Sequence, residues 1–424
     1  MSVAKFTLLG SNSGRNAGDA AILASIMGTL SSQIDGDVEF EVPTTNPGFV
    51  SGSYGKMFNV KPVSIMPWTG SIRLLGIPTF RSVKRTDVTM ITDGIIFDIN
   101  LWNPLFNFLI TLIFIAPWAR LFGKKLVCYS VGIGPLNSFF GRLFAKYVGN
   151  SCDLIIVRDK DSLELFRKIG VKKEIHLLAD AVFQDWPAPD ADITKIIKAK
   201  GLEQAASEGR MLGFNITRYI DRWLASGEKV ADKGSFVDML ARALAGLKHE
   251  ENIEPVIVTT QVMDAEIGRQ LQQSVARAYK SIAADSWEPA IVTNEVYSNH
   301  EILGFSSKCS LYAGMRLHSL IIAAQSGTPI VGLIYAPKVK SFLNQLNTPE
   351  RGLPLAELTE ASLKRELSDA WKNRGQIEQT QQEVVRGLRD SAKAAGRLVA
   401  EKYFKVRRDS GAAQQRQESV AVGG

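Results

Sequence analysis

The feature that most constrains the fold of this 424-residue chain is an alternation of strand-like and helix-like segments. Short apolar runs with the length of buried strands are repeatedly followed by longer segments with helical periodicity. Such alternation is typical of parallel sheets covered by helices. Because 424 residues exceed what one hydrophobic core usually accommodates, we expect two sheets in two domains.

The alternation is interrupted once, by a polar segment near the middle of the chain. We therefore predict an N-terminal Rossmann-like domain over residues 1–186, a linker over 187–208, and a C-terminal Rossmann-like domain with a closing helix over 209–404. Residues 405–424 lack aromatic residues and are rich in Gln, Ser and Gly, which predicts a disordered tail. Ligands of open parallel sheets bind beyond the carboxyl ends of the strands, so we expect the two domains to face a cleft.

The same pattern assigns individual elements in each half. In the first half, the predicted strands are 5–10, 38–42, 88–91, 125–130, 154–157 and 174–178, and the predicted helices are 19–31, 139–148 and 162–169. In the second half, the predicted strands are 211–216, 255–259, 290–292, 309–312 and 329–334, and the predicted helices are 235–247, 265–278, 299–305 and 317–325. One long helix, 360–404, is predicted to close the fold.

Composition narrows the partners and the compartment. The formal net charge of +7 suits an anionic small molecule, an acidic glycan or an anionic membrane surface. The sequence has no basic stripe interleaved with aromatic residues, so we expect no nucleic acid partner. Cys128, Cys152 and Cys309 lie far apart, which predicts buried reduced thiols. With no signal-peptide pattern at the N-terminus, we expect a cytoplasmic protein.

One apolar segment, residues 101–122, allows two interpretations. Its uninterrupted apolar stretch is shorter than the roughly 20 residues that a membrane-spanning helix needs. The first interpretation is a helix buried on a sheet. The second is a peripheral contact with the inner face of a membrane, with Trp102 and Trp118 as interfacial anchors. The basic residues that would meet lipid phosphates are Arg120, Lys124 and Lys125.

The strongest candidate for chemistry is the turn that carries Arg316 and His318. A predicted strand ends just before it, and an apolar helix begins at Leu317. A helix N-terminus offers unpaired amide N–H groups, Arg binds carboxylate or phosphate with two hydrogen bonds, and His titrates near neutral pH. Together they predict a site for an anion that exchanges a proton. The alternative is structural, with Arg316 paired to a neighbouring carboxylate and His318 held as a core residue.

A glycine-rich loop, residues 10–20, follows the first predicted strand. It lacks the lysine and the Ser or Thr of a nucleotide P-loop, and it lacks the spacing of a dinucleotide-binding fingerprint. Asn16 and Asp19 are its candidate binding residues. Asp19 is either a helix cap or a base or hydroxyl binder that faces the cleft.

Other turns at predicted strand ends supply further candidates. Asp98 follows a strand in the segment ITDGIIFD, and Gly132 and Gly134 permit close approach of the backbone to a ligand. Arg218 follows the first strand of the second half, with a surface ion pair as the alternative role. After the last predicted strand, a Tyr-x-x-Lys turn adds two substrate-binding candidates, Tyr335 and Lys338.

Five motifs in these segments point to one family. They are NxGD at 16–19, GIGP at 132–135, VRDxxS at 157–162, DAVF at 180–183 and, most specifically, RLHSLIIAAQSGTPIVGLIYAPK at 316–338. Together they resemble the polysaccharide pyruvyl transferases. The resemblance implies a glycosyltransferase-B-like pair of Rossmann-type domains, with the acceptor on the N-terminal domain and the donor on the C-terminal domain. It also implies that the triplet Arg316, Leu317 and His318 binds phosphoenolpyruvate.

The implied reaction transfers a pyruvyl group from phosphoenolpyruvate to sugar hydroxyls of a polysaccharide or a lipid-linked glycan, as in exopolysaccharide and cell-envelope biosynthesis. Arginines suit the anionic donor, so we assign Arg316 to it with Arg218 in support. A general acid or base suits the proton transfers, and His318 is the first candidate, with Asp19 or Asp98 as the base. The sequence shows no metal-ligand spacing, so we expect neither a metal nor a cofactor.

One segment departs from the family pattern. The family's glycine-rich GGG-x-x-x-D loop is DGIIFD at 93–98 here. Two alternative functions therefore stay open. The first is a glycosyltransferase that uses a nucleotide-sugar donor on the same architecture, and the second is a catalytically inactive member that binds glycans.

Overall fold

The computed structural model of the chain describes residues 3–218 and 233–407. The chain divides into two compact units. The described part of the first unit is 3–14, 19–185 and 388–407, and that of the second is 15–18, 186–218 and 233–387. Each unit contains one parallel sheet with helices, which confirms the predicted fold class of two Rossmann-like α/β units.

The sheet of the first unit has seven strands in the order β3-β2-β1-β6-β7-β8-β9, all parallel. The strands are β1 (Ala4–Leu9), β2 (Val38–Thr44), β3 (Asn59–Ser64), β6 (Val88–Ile91), β7 (Lys125–Val131), β8 (Leu154–Val157) and β9 (Ile175–Leu177). A small antiparallel hairpin is formed by β4 (Ser71–Ile72) and β5 (Leu75–Gly76). The helices are α1 (Ala17–Gln33), α2 (Pro47–Tyr54), α3 (Ile77–Arg85), α4 (Leu109–Leu121), α5 (Phe139–Ser151) and α6 (Lys160–Lys168). The strands β6 and β8 are buried along their whole length, as expected for a sheet covered on both faces.

The sheet of the second unit has six parallel strands in the order β12-β11-β10-β13-β14-β15. The strands are β10 (Met211–Asn215), β11 (Glu254–Thr259), β12 (Ile291–Thr293), β13 (Leu311–Gly314), β14 (Ile330–Ile334) and β15 (Gly352–Pro354). The helices are α7 (Asp190–Ala199), α8 (Glu203–Ser207), α9 (Lys233–Glu251), α10 (Ala265–Lys280), α11 (Asn299–Ser306), α12 (Leu317–Gln325), α13 (Pro337–Gln345), α14 (Glu360–Lys372) and α15 (Arg374–Tyr403). Up to residue 387, α15 belongs to the second unit, and from residue 388 it belongs to the first.

The structure differs from the predicted linker over residues 187–208. This segment forms the two short helices α7 and α8 of the second unit. The polar composition concealed an apolar stripe, because Ile193, Ile196 and Ile197 are all buried on one side of α7. An apolar stripe at helical spacing favours a packed helix over a linker.

The predicted long helix 360–404 is two helices. The first, α14, ends at Asn373, whose side-chain amide donates to the carbonyl oxygen of Asp369 at 2.9 Å. Such a side-chain bond satisfies a carbonyl at the helix end, and α15 begins at the next residue.

Part of the predicted disordered tail is ordered. The backbone N–H of Asp35 donates to the carbonyl of Lys405 at 2.8 Å, and the N–H of Arg407 donates to the carbonyl of Gln33 at 2.8 Å. Lys405 also forms an ion pair with Asp35 at 3.1 Å. The prediction for residues 408–424 lies outside the described residues.

The apolar segment 101–122 contains α4, and one side of this helix is buried in the core of the first unit. Ile115 is fully buried, and the indole N–H of Trp118 donates to the carbonyl of Phe80 at 2.9 Å. Trp118 is therefore fixed against α3 and is not the outward anchor that the sequence suggested. Among the described residues, no helix combines the length and hydropathy needed to cross a bilayer.

Candidate functional site

The candidate donor site lies at the carboxyl ends of β10, β11 and β13 in the second unit, and Asn215 ties these ends together. Asn215 is the last residue of β10 and is fully buried. Its side-chain N–H donates to the carbonyl of Val258 on β11 at 2.8 Å, and its side-chain oxygen accepts the backbone N–H of Arg316 at 3.0 Å. Arg316 therefore starts from a backbone position fixed by neighbouring strands.

The guanidinium of Arg316 forms a two-point ion pair with Asp264. Its Nη2 donates to Oδ1 at 2.9 Å, and its Nε donates to Oδ2. Asp264 has no exposed surface, whereas the Arg316 side chain keeps 12% of its surface exposed. A bidentate Arg–carboxylate pair fixes both position and plane. The sequence analysis left open that Arg316 pairs with a neighbouring carboxylate, and Asp264 is that carboxylate. It holds Arg316 in one orientation at the edge of solvent.

Asp264 also fixes the loop that follows β10. Its Oδ1 accepts the backbone N–H of Arg218 at 3.0 Å and the hydroxyl of Thr217 at 3.3 Å. Arg218 itself is exposed. Asp264 therefore binds both arginines that the sequence assigned to the donor. It binds the side chain of Arg316 and the backbone N–H of Arg218.

Helix α12 begins directly after Arg316, which occupies the N-cap position. A guanidinium carries donors only, so this residue offers no acceptor to the first amides of the helix. Leu317 and His318 lie in the first turn and are half-buried. The amides of a helix N-terminus next to an arginine form a suitable environment for an anion.

Residues 15–18 belong to the second unit and lie beside His318. The N–H of Ala17 donates to the carbonyl of Thr260 at 2.8 Å, which attaches this segment to the end of β11. The side-chain oxygen of Asn16 accepts the N–H of Gly18 at 3.0 Å, so Asn16 caps α1. The backbone of Gly18 contacts the imidazole of His318 so closely that no side chain fits between them.

Tyr335 and Lys338 follow β14, which is the neighbour of β13 in the sheet. Tyr335 is partly buried and packs against the core of the second unit. Lys338 is exposed in the first turn of α13. These two residues thus follow the strand end adjacent to the one that carries Arg316.

A second charged cluster lies in the first unit, around Arg158 at the carboxyl end of β8. Its Nη1 lies 3.0 Å from Oδ2 of Asp180, and both side chains are almost completely buried. Burial disfavours the charged guanidinium, but Asp180, Asp159, Asp93 and Asp19 together hold the pKa of Arg158 above its ordinary value. Asp19, in the first turn of α1, is thus part of this cluster.

Asp93 is the buried carboxyl of this cluster. One of its oxygens accepts the backbone N–H of Ser11 at 2.7 Å, and its backbone has the left-handed φ of 61°. Burial raises the pKa of Asp93 to about 6, although Ser11 and Arg158 act in the opposite direction. A left-handed non-glycine residue with a perturbed carboxyl is typical of functional sites as well as of tight turns.

Gly132 belongs to the same cluster, and its missing side chain leaves space for the guanidinium of Arg158. A β-carbon at this position would lie 2.6 Å from Nη2 of Arg158. Gly134, two residues later, has a φ of +95° and donates its N–H to the carbonyl of Ile96 at 2.8 Å. The structure of the first unit therefore explains why glycine is required at both positions.

Asp98 is placed at the N-terminus of α5. Its Oδ2 accepts the backbone N–H of Ser138 at 2.5 Å. Partial burial favours the protonated form, but the hydrogen bonds from Ser138 and Asn137 lower the pKa of Asp98 below its ordinary value. A carboxylate that accepts several hydrogen bonds and has a lowered pKa is a weak proton acceptor.

Comparison with known families identifies the chain. The model of the polysaccharide pyruvyl transferase family matches residues 16–337. The chain belongs to this family.

The relatives of this polysaccharide pyruvyl transferase family member agree with its fold. The amylovoran biosynthesis protein AmsJ of Erwinia amylovora is 22% identical, and the alignment covers 94% of this chain and 98% of that protein. A crystal structure of HepE from Anabaena with UDP and glucose is 12% identical, covers 99% of both chains and gives a TM-score of 0.53. The UDP-GlcNAc 2-epimerase from Neisseria meningitidis bound to UDP-GlcNAc is 8% identical, covers 95% of this chain and 99% of that chain, and gives a TM-score of 0.55. At these identities the structural likeness supports the glycosyltransferase-B-like fold class only.

The sequence-based choice of site residues in this family member omitted three charged residues that organise the two clusters. Asp264 follows β11, Arg158 follows β8 and Asp180 follows β9, each a few residues beyond a strand end. The rule that ligands gather at the carboxyl ends of parallel strands points to all three. Asp264 lies 52 residues before Arg316, so only the strand order brings the two together.

Proposed function

We propose that this chain transfers a pyruvyl group from phosphoenolpyruvate to two hydroxyls of a saccharide, forming a pyruvate ketal. One observation carries the proposal, together with membership of the family. Arg316 is held in a fixed plane by the fully buried Asp264 at the start of α12, with His318 in the first turn of the same helix. This arrangement suits a small anion that must also exchange a proton.

The proposed reaction forms two C–O bonds and one C–H bond and breaks the C–O bond to the phosphate. A proton is added to the methylene carbon of phosphoenolpyruvate, and the first sugar hydroxyl forms a bond to the adjacent carbon. The bond from that carbon to the phosphate oxygen breaks, and the second hydroxyl forms the second C–O bond. Of the two hydroxyl protons, one replaces the proton taken up by the methyl group and the other leaves with the phosphate.

The charges of the site suggest how the donor is held. Because Asp264 matches the charge of Arg316, we assign Arg316 to orienting the carboxylate or phosphate through directed hydrogen bonds rather than through net charge. Net positive charge comes from the exposed side chain of Arg218 and from the N-terminus of α12. We assign His318 to proton transfer at the donor.

The acceptor is assigned to the first unit. Asp19 is the better candidate for its base, because Asp98 already accepts hydrogen bonds from Ser138 and Asn137 before α5. The saccharide is either a polymer or a lipid-linked glycan, and the site geometry favours neither.

A thermal-shift comparison tests the choice of donor. The protein is incubated with phosphoenolpyruvate or with a panel of nucleotide sugars, alongside the variant Arg316→Lys, which keeps the charge but loses the two-point geometry. We expect phosphoenolpyruvate to stabilise the wild type and to stabilise Arg316→Lys much less. Stabilisation by nucleotide sugars alone would contradict the proposal and would favour a glycosyltransferase.

A further inference from the structure

We propose that the first unit carries a docking surface for an anionic lipid bilayer, formed by α4, α5 and the loop before α4. Of the sixteen large hydrophobic side chains that are exposed among the described residues, twelve fall between Trp68 and Tyr147. We define the apolar surface by six of these side chains, each at least 45% exposed, which are Trp102, Phe114, Leu121, Phe139, Phe140 and Leu143. Monomeric proteins rarely expose large side chains at this density without a partner.

The outward sides of both helices are apolar. In α4, the side opposite the core exposes Phe114 and Leu121, at 51% and 72% of their surface. In α5, Phe139, Leu143 and Tyr147 are spaced by four residues, so they form one exposed stripe. The two helices pack against each other, so the two stripes lie on neighbouring helices.

An aromatic cluster connects the loop to α5. The ring of Trp102 lies 5.4 Å from that of Phe140 and 5.9 Å from that of Phe144, measured between centroids. Phe139 lies 5.6 Å from Phe140. Trp102 and Phe139 nevertheless keep 63% and 67% of their surface exposed. An amphipathic indole such as that of Trp102 is favoured at the boundary between lipid headgroups and acyl chains, and a Phe ring adds apolar area that lipid can bury.

The charged residues around the apolar surface favour an anionic partner. Residues 66–147 contain nine Lys and Arg, three Asp and no Glu, and two of the nine, Arg85 and Lys125, pair with acids outside this range. Of the three acids, Asp93 is buried and Asp98 is engaged at the N-terminus of α5. Lys84 lies 4.9 Å from the ring of Phe122 at the end of α4, and Arg120 is exposed in the last turn of that helix. Basic side chains thus border the apolar surface.

An anionic bilayer fits these features better than a second copy of the chain. A symmetric dimer through this surface would bring two copies of the same basic border together, which is unfavourable. Anionic lipid headgroups instead attract each exposed Lys or Arg near the surface. Because the outward sides of α4 and α5 are only stripes, the contact is peripheral and parallel to the membrane. This inference does not depend on the proposed pyruvyl transfer.

Co-sedimentation of the full chain with lipid vesicles tests the inference. The probes are vesicles of phosphatidylglycerol mixed with phosphatidylcholine, compared with vesicles of phosphatidylcholine alone. We expect binding to the anionic vesicles that weakens as salt is added, and much weaker binding to the neutral vesicles. Equal binding to both kinds of vesicle, or no binding to the anionic ones, would overturn the proposal.

Matched variants localise the contact. Phe139→Ser combined with Phe140→Ser should lower the vesicle partition coefficient by about tenfold or more. Arg120→Glu should lower anionic binding by about fivefold to tenfold. The control is Ile282→Ser combined with Val296→Ser, which removes two exposed apolar residues of the second unit and should leave binding unchanged. Thermal unfolding verifies that each variant is folded.

Two outcomes with these variants would contradict the assignment. If the Phe139 and Phe140 variant binds vesicles like the wild type, the apolar surface is not the contact. If the wild type forms a concentration-dependent dimer in sedimentation velocity that the same substitutions abolish, the surface belongs to a second copy of the chain.

Discussion

The backbone of Gly18 lies directly against the imidazole of His318. A β-carbon at residue 18 would stand 2.5 Å from each of Cβ, Cγ and Nδ1 of the histidine. Residue 18 is itself fixed, because the preceding Ala17 bonds to Thr260 and Asn16 caps the helix start. Gly18 therefore sets one side of the space that His318 occupies.

Substitution of Gly18 by alanine should displace His318. Since misplacement of a reacting group by about 1 Å can cost on the order of a hundredfold in rate, we expect Gly18→Ala to lower kcat by up to that factor. The measurement is steady-state turnover with phosphoenolpyruvate together with the melting temperature. The matched control is Gly387→Ala, a glycine of α15 with open space around its Cα. Normal turnover by a folded Gly18→Ala would show that the position of His318 is not critical.

The pairing of Arg316 with Asp264 predicts a coupled loss of stability and donor binding. Asp264→Asn keeps the shape but removes the charge that faces a largely buried guanidinium. Breaking such a pair typically costs roughly 3 kcal/mol of unfolding free energy, and it loosens the orientation of Arg316. We expect a lower denaturant midpoint and a higher Kd for phosphoenolpyruvate in calorimetry.

Asp192→Asn is the control for this substitution, because Asp192 pairs with Lys195 at 2.7 Å on the exposed side of α7. Exposed pairs contribute little, so the control should match the wild type in both measurements. A stable Asp264→Asn variant with unchanged donor affinity would mean that the pair does not organise the site.

The buried carboxyl of Asp93 predicts a pH-dependent stability. Its pKa is raised from 3.8 to about 6, so the folded state holds a proton more tightly than the unfolded state. The stabilising contribution of this proton is present near pH 4 and is lost as the pH rises through 6. Asp93→Asn lacks this dependence, and between pH 5 and pH 7.5 its unfolding free energy should rise relative to the wild type by roughly 1.4 kcal/mol. Urea denaturation at both pH values measures the difference, and a difference that stays constant would contradict the assignment.

Substitutions of His318 and Arg316 should differ in their effects, the first acting mainly on turnover and the second on donor binding. We expect His318→Ala to keep most of the thermal stabilisation by phosphoenolpyruvate but to lose turnover by about a hundredfold or more, as for loss of a general acid or base. Arg316→Ala should lose the stabilisation itself. The reverse pattern would exchange the two roles.

The fold class and the turn at Arg316 were predictable because they depend on local pattern. The alternation of apolar runs indicates the strands, and Gly314 followed by an apolar helix indicates the turn. The edge strands β3 and β15 were missed, since NVKPVS and GLP carry little strand signal and each pairs with one neighbour only. Local pattern also failed at residues 187–208, where polar residues outnumber the buried isoleucines.

The carboxylate partners were harder to predict, because they depend on strand order. Asp264 and Arg316 follow β11 and β13, which flank β10 in the sheet. The sequence alone leaves this order open, so Asp264 in QVMDAE has no local signal that separates it from a helix cap. Arg158 and Asp180 meet for the same reason, after the neighbouring strands β8 and β9.

The most direct test of the proposed activity is a phosphate-release assay with phosphoenolpyruvate and a panel of saccharide acceptors. We expect acceptor-dependent release of phosphate by the wild type, with a pyruvate ketal in the product, and no release above background by Arg316→Ala or His318→Ala. The Gly387→Ala control should release phosphate at the wild-type rate. Release by both site variants at the wild-type rate would contradict the assignment of the reaction to the turn at Arg316 and His318.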